Sequence, residues 1–92
     1  MAQIYLPTPL RRLTQGRARV AADGRTVEEA LASVERQYPG LREQLREHSG
    51  EVRSFINVFV NGTEIRSLQG AATPLGEEDE ISIVPAMAGG SA

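Results

Sequence analysis

The sequence predicts a small α+β domain in which a mixed sheet of four to five strands is crossed by one main helix. Three observations predict it: a helix with a clear start signal, β-rich segments on both sides of that helix, and a strong strand–turn–strand signal. The chain has 92 residues, 40% of them apolar, which suffices for one modest core but not for two. We expect residues 1–85 to form the single domain and residues 86–92 a flexible tail.

The helix is predicted from its first turn. Thr26 and Glu29 form a capping box, in which the threonine hydroxyl accepts from the amide of the third residue and the carboxylate reaches back to the amide of the cap. Pro39-Gly40 ends the pattern, and a shorter helical piece follows through Leu41 and Leu45. The predicted core stripe of the main helix is Val27, Ala30, Leu31, Val34 and Tyr38.

Five segments have the composition of strands: residues 3–6, 17–21, 55–60, 63–65 and 81–84. The first two flank a loop and are expected to pair as a hairpin. Residues 55–60 run into Asn61-Gly62, the strongest short hairpin signal. Pro85 is expected to end the last strand, because proline has no amide to donate.

Alternation along the strands predicts two faces of the sheet. If Ile56, Val58, Val60, Ile81 and Ile83 point inward, Phe59 and Val84 lie on the open face. An apolar patch there is a candidate docking surface. Arg11 and Arg12, in the loop after the first strand, are candidates for contact with an acidic patch on a partner.

Composition excludes several classes of chemistry. The chain has no cysteine and a single histidine, His48, which argues against a disulfide framework, a thiolate metal site and a cysteine nucleophile. We therefore expect no metal and no catalytic residue. All ten basic residues are arginine and are scattered among twelve acids, so no nucleic-acid footprint is present. No apolar run is long enough for a membrane span, and a soluble cytoplasmic protein is expected.

Residues 10–14, 26–31, 38–41, 55–62, 73–75 and 79–90 together resemble the β-grasp of ubiquitin-like sulfur carriers, a family that includes the molybdopterin-synthase small subunit and the thiamine sulfur carrier. The resemblance covers nearly the whole chain. The part of the resemblance that is most specific to this family is residues 79–90, in which Gly89-Gly90 follows the last strand and Pro85. Ser91-Ala92 is a departure from carriers that end at the second glycine, and resembles subfamilies that are trimmed first, including carriers for cysteine and for sulfur-containing natural products.

The resemblance implies a carrier that is not itself an enzyme. A JAMM-type metallopeptidase would remove Ser91-Ala92, and a ubiquitin-activating-like adenylyltransferase would use ATP to activate the carboxylate of Gly90. Sulfur would then be held covalently as a Gly90 thiocarboxylate and passed to a sulfur-accepting biosynthetic enzyme. The carrier binds no cofactor, and cysteine or another sulfur-containing metabolite is the expected product.

The tail composition suits this chemistry. Gly89 has no Cβ, and Ala88 and Met87 precede it, so the segment can thread into a narrow adenylation channel. Two other family roles stay open at this point: the small subunit of molybdopterin synthase, and a ubiquitin-like modifier that forms isopeptide bonds. A plain interaction module with an irrelevant tail is the remaining alternative.

Overall fold

Five strands form one mixed sheet in the order β2-β1-β5-β3-β4. The structure is a computed structural model, and it describes residues 1–85. The strands are β1 (Ala2–Tyr5), β2 (Arg19–Ala22), β3 (Ile56–Val60), β4 (Thr63–Glu64) and β5 (Glu80–Pro85). The helices are α1 (Val27–Gln37) and α2 (Gly40–Leu45), with 3₁₀ segments at Thr8–Thr14, Ile65–Ser67 and Gly70–Ala72.

The pairing confirms the predicted α+β class and mixed sheet. β1 pairs antiparallel with β2 and parallel with β5, whereas β3 pairs antiparallel with both β5 and β4. Parallel neighbours need a long crossover connection, which here contains α1. Within residues 1–85, no helix is long and apolar enough to cross a membrane.

The start of α1 contains the predicted capping box with one difference. Thr26 Oγ1 accepts from the amide of Glu29 at 3.2 Å, as predicted. The Glu29 carboxylate, however, accepts from the amide of Arg25 at 2.8 Å, one residue before the predicted cap amide. Residues 25–27 run antiparallel to 73–75, with Thr26 bridged to Pro74, so the start of the helix is joined to the segment before β5.

The core lies between the helices and one face of the sheet. The predicted stripe of α1 is confirmed, except that Tyr38 is only partly buried where the helix ends. Both leucines of α2, Leu41 and Leu45, are fully buried, which confirms the second helical piece. The inward strand positions are also confirmed: Ile56, Val58, Val60, Ile81 and Ile83 are buried.

All five strands differ from their predicted bounds by one or two residues, and the loop after β1 also differs. The predicted loop after β1 contains a 3₁₀ helix, Thr8–Thr14, whose Leu10 and Thr14 are buried. β4 stops at Glu64, because Ile65 enters a 3₁₀ turn and is buried there. β5 includes Pro85, in register with Ile56, although proline was expected to end the strand. The register is compatible with proline because a last strand position does not require an amide donor.

The predicted hairpin turn between β3 and β4 is present. Asn61 and Gly62 both have positive φ angles, 50° and 89°. This is the pattern of a type I′ turn, whose twist matches that of the flanking strands and whose second position favours glycine. The turn therefore fixes the register of β3 against β4.

A buried arginine joins α1 to the end of α2. Arg46 uses all five N–H donors of its guanidinium: two on Glu35, two on Glu28 and one on the carbonyl oxygen of Gly50, at 2.7–3.1 Å. Its side chain is 4% exposed and that of Glu35 is 5% exposed. Burial lowers the pKa of Arg46, but the hydrogen bonds and charges of both glutamates outweigh it and raise the pKa. Sequence reasoning did not identify this cluster.

We predict that Arg46→Ala lowers the free energy of unfolding by about 3–5 kcal/mol, because it leaves the buried Glu35 carboxylate without its main partner. Urea denaturation measures the loss. Arg36→Ala is the matched control: Arg36 is an exposed residue of α1, and its removal should change stability by less than about 0.5 kcal/mol. Equal effects of the two substitutions would contradict a structural role for the cluster.

A second polar cluster closes the turn before β5. Asp79 accepts from the amide of Gly76 at 2.7 Å and from the side-chain amide of Asn61 at 2.9 Å. These two hydrogen bonds favour the carboxylate and lower the pKa of Asp79 from its ordinary value of 3.8. Since the folded-state pKa is depressed, the stabilisation is complete above that ordinary value and is lost as the pH falls through the folded-state pKa.

We predict that Asp79→Asn destabilises the protein at pH 6, and that the stability difference from wild type narrows as the pH is lowered below about 4. Urea midpoints measured across that range provide the test. Glu78→Gln, an exposed change in the same turn, should show no such pH dependence. If the stability difference between Asp79→Asn and wild type widened as the pH was lowered, the assigned direction of the Asp79 pKa shift would be contradicted.

Candidate functional site

The last described residue leaves from the middle of the sheet. β5 lies between β1 and β3, and because β1 pairs only as far as Ser82, Pro85 is paired with β3 alone. We call the end of the sheet where β1 and β5 finish and β2 and β3 begin the exit edge. The opposite end, where β1 and β5 begin, is the entry edge.

The predicted docking residues lie on the open face of the sheet, Val84 near the exit edge and Phe59 in the middle of the sheet. Phe59 and Val84 have the alternation opposite to the buried positions of β3 and β5. Val84 is 45% exposed, and Phe59 is half-buried. The predicted orientation of both residues is therefore confirmed, whereas their contact with a partner stays a prediction.

Tyr5 completes this surface and was not identified from the sequence. It is in register with Ser82 on one side of β5, and Phe59 is in register with the same Ser82 on the other side. Val84 lies two residues further along β5. The sequence offers no signal for this proximity, because it depends on β1 and β5 being neighbours. We call Tyr5, Phe59 and Val84 the open-face patch.

Two arginine side chains lie against the strands that form the patch. The Arg19 guanidinium lies over the Tyr5 ring, 4.5 Å from its centroid, a cation–π geometry. Arg66, also missed by sequence reasoning, donates to the carbonyl oxygens of Ser54 and Ile56 and to the Asn57 side chain at 3.0–3.2 Å. Arg66 thereby covers part of the outer edge of β3, where the two-residue β4 does not reach.

The structure places both predicted arginines near the exit edge. Arg11 Nε donates to the carbonyl oxygen of Leu6 at 3.1 Å, and Leu6 directly follows β1. Arg12 is the next residue and is exposed. The two therefore lie at the same end of the sheet as Pro85, although a partner contact is still a prediction.

The predicted reactive and processing residues lie outside the described part of the chain. They are Met87, Ala88, Gly89, Gly90, Ser91 and Ala92. The proposed boundary between residues 1–85 and 86–92 falls at the same point. The roles assigned to these residues therefore stay predictions.

Other candidate sites do not include the residues of the open-face patch. A cleft of about 840 Å³ at the entry edge is lined by Asp23, Arg25, Glu29 and Arg36 among others. His48 is exposed. Within residues 1–85, no group of three or more His, Cys, Asp or Glu side chains could hold a metal ion.

Comparison with known proteins identifies the family. A model of the ThiS family matches residues 4–90, which is nearly the whole chain and extends to the second glycine. The chain belongs to the ThiS family of ubiquitin-like sulfur carriers.

Curated relatives of this ThiS-family chain include carriers and a modifier. Sulfur carrier protein CysO of Mycobacterium tuberculosis is 36% identical over 89 residues, covering 95% of this chain and 96% of the relative. Small archaeal modifier protein 3 of Haloferax volcanii is 44% identical over 68 residues, covering 74% of this chain and 73% of the relative. The chain is thus similar to proteins of both descriptions.

Solved structures confirm the β-grasp fold of the ThiS-family chain. A chain from the BexX/CysO complex of Amycolatopsis orientalis matches with a TM-score of 0.89 and 33% identity, covering 96% of this chain and 98% of that one. CysO from Mycobacterium tuberculosis matches with a TM-score of 0.87 and 32% identity, covering 95% and 100%. The five-strand sheet with its crossing helix is therefore shared with CysO proteins.

Proposed function

We propose that this ThiS-family chain carries sulfur as a thiocarboxylate on Gly90. The observation that carries the proposal is the family match, which extends through Gly90, in a fold whose central strand ends five residues earlier at Pro85. The chain supplies the acceptor group and its delivery, and other proteins supply the catalysis. The 36% identity to a protein described as a sulfur carrier supports this role.

The encoded residues after Gly90 require a processing step. While the peptide bond from Gly90 to Ser91 is intact, Gly90 has no free carboxylate. We propose that a JAMM-type metallopeptidase hydrolyses this bond and releases Ser91-Ala92. The new α-carboxyl group has a pKa of about 3.5 and is ionised at neutral pH, so it is a poor electrophile until it is activated.

Activation would follow the chemistry of acyl adenylates. One Gly90 carboxylate oxygen attacks the α-phosphorus of ATP, and pyrophosphate leaves. A sulfide donor then attacks the acyl carbon, AMP leaves with the bridging oxygen, and a thiocarboxylate forms. A ubiquitin-activating-like adenylyltransferase would hold the ATP, and the carrier would bind no cofactor of its own.

The sulfur acceptor is proposed to be a biosynthetic enzyme. A CysO protein of Amycolatopsis orientalis forms a complex with BexX, which supports association of such carriers with a second protein. Similarity to CysO supports cysteine or another sulfur-containing metabolite as the product. Cytoplasmic location and the lack of nucleic-acid and membrane partners stay predictions.

Protein modification is a second candidate function. The 44% identity to Small archaeal modifier protein 3 favours it. It shares the activation step but ends in an amide bond between Gly90 and a lysine of a target protein. Adducts of higher mass that contain this chain and are not cleaved by thiol reagents would identify protein modification.

We predict that intact-mass spectrometry follows two changes. With the peptidase, the chain loses Ser91-Ala92; with the adenylyltransferase, ATP and a sulfide donor, one oxygen is then replaced by sulfur. A variant made to end at Gly90 should be converted without the peptidase. Sulfur on a chain that keeps Ser91-Ala92, or a trimmed chain that is never adenylated, would refute the mechanism.

A second prediction concerns the open-face patch as the docking surface for the adenylyltransferase. Val84→Asp should lower kcat/KM for adenylation about tenfold, the effect of losing about 1.4 kcal/mol of binding. Leu68→Asp is the matched control, because Leu68 is also 45% exposed but lies outside the sheet. Both variants should keep the wild-type melting temperature within a few degrees. If the two variants react equally well, docking does not use this patch.

A further inference from the structure

The charges of the domain are separated along the strand direction. Five of the ten arginines lie at or next to the exit edge, and one of them, Arg19, lies over Tyr5 of the open-face patch. Arg17 and Arg19 lie at the start of β2, Arg11 and Arg12 follow the end of β1, and Arg66 contacts the start of β3. We call this set the arginine rim: Arg11, Arg12, Arg17, Arg19 and Arg66.

The entry edge has more acidic than basic residues, although Arg25 and Arg36 also line its cleft. The acidic turn of residues 77–79 and Glu80, the first residue of β5, lie there together with Asp23, which directly follows β2. The net formal charge of the chain is only -2. The separation is therefore a property of the fold and is not visible in the composition.

The rim charges are not neutralised by the domain itself. Among residues 1–85, none of the five guanidinium groups lies within 4.0 Å of a carboxylate oxygen. By contrast, Arg42, Arg46 and Arg53 each have such a partner. Arg11 and Arg66 are held in place by carbonyl oxygens, which fix their position but leave their charge uncompensated.

Resting on the proposed function, we infer that the arginine rim steers this chain onto an acidic surface around the entrance to the adenylation site of its adenylyltransferase. A cluster of one sign raises the rate of encounter with a surface of the other sign by about 10–1,000-fold at low salt. Charges at the rim of an interface act mainly on the rate of association and on its salt dependence. The open-face patch then supplies the apolar contact with the adenylyltransferase.

Distance separates this role from binding of the nucleotide. Residues 86–90 span at most about 18 Å when extended, and Gly90 must reach the α-phosphorus of ATP. The rim lies at the base of that segment, at the level of Pro85. Its arginines therefore face the protein surface at the entrance, and the phosphates lie at the other end of the threaded segment.

The test compares two double charge reversals that change the net charge equally. Arg17→Glu/Arg19→Glu alters the rim, whereas Arg25→Glu/Arg36→Glu alters the cleft at the entry edge. Adenylation is measured by pyrophosphate exchange with the adenylyltransferase, using chains that end at Gly90, between 25 and 500 mM NaCl. Thermal melting verifies that each variant is folded.

We expect the rim variant to lower kcat/KM about tenfold or more at low salt, with kcat unchanged at saturation, and to weaken the salt dependence. The entry-edge variant should match wild type. Equal effects of the two variants, or salt-independent kcat/KM for wild type, would overturn the inference while leaving the proposed function intact. Wild-type protein that is never adenylated would refute both.

A second copy of this chain is the competing occupant, since its acidic entry edge could face the rim. Light scattering of wild type alone at 25 mM NaCl distinguishes the two. A monomer that stays a monomer across the protein concentrations used for adenylation supports the steering role. Self-association that the rim variant abolishes would overturn it.

Discussion

The central position of β5 is the constraint on which the rest of the structure depends. The strand pairs with β1 in parallel and with β3 in antiparallel orientation, and its Ile81 and Ile83 are buried under the helices. Parallel pairing of the first and last strands brings distant parts of the chain together. Because β5 is also the strand that precedes Gly89-Gly90, the most securely held part of the sheet carries the segment proposed to react.

The position of β5 also determines what surrounds the base of that segment. Tyr5 and Phe59 flank Ser82 because their strands are the two neighbours of β5. In an edge strand, Ser82 would have only one neighbouring strand, and the two aromatic residues would not lie on either side of it. A central strand thus assembles an apolar patch from three segments that are far apart in sequence.

The Arg46 cluster stabilises the part of the fold that has little regular structure. Residues 46–55 connect α2 to β3 and contain no helix, with a single isolated bridge between Arg46 and Val52. Burying charges is costly unless every donor and acceptor is paired, and Arg46 meets this condition by binding Glu28, Glu35 and the Gly50 carbonyl. A lysine has three donors and no planar fork, so it could not make the same contacts.

The sequence by itself determined the local features, and the proposal for the reactive residues also comes from it. The capping box at Thr26, the apolar stripe of α1 and the Asn61-Gly62 turn each depend on residues a few positions apart, so periodicity and hydrogen-bonding chemistry were enough to predict them. Alternation likewise assigned Phe59 and Val84 to the open face. The Gly89-Gly90 pair was evident from its position after the last strand.

Only the tertiary structure decided which of these features are neighbours. Strand order placed Tyr5 beside β5 and Arg19 beside Tyr5, and the short β4 left the β3 edge to Arg66. Pairing of residues 25–27 with 73–75 joined the start of α1 to the segment before β5. The tertiary structure likewise decided that Arg46 and Glu35 are buried together. In each case the contact joins segments distant in sequence, and local propensity contains no information about which distant segments will meet.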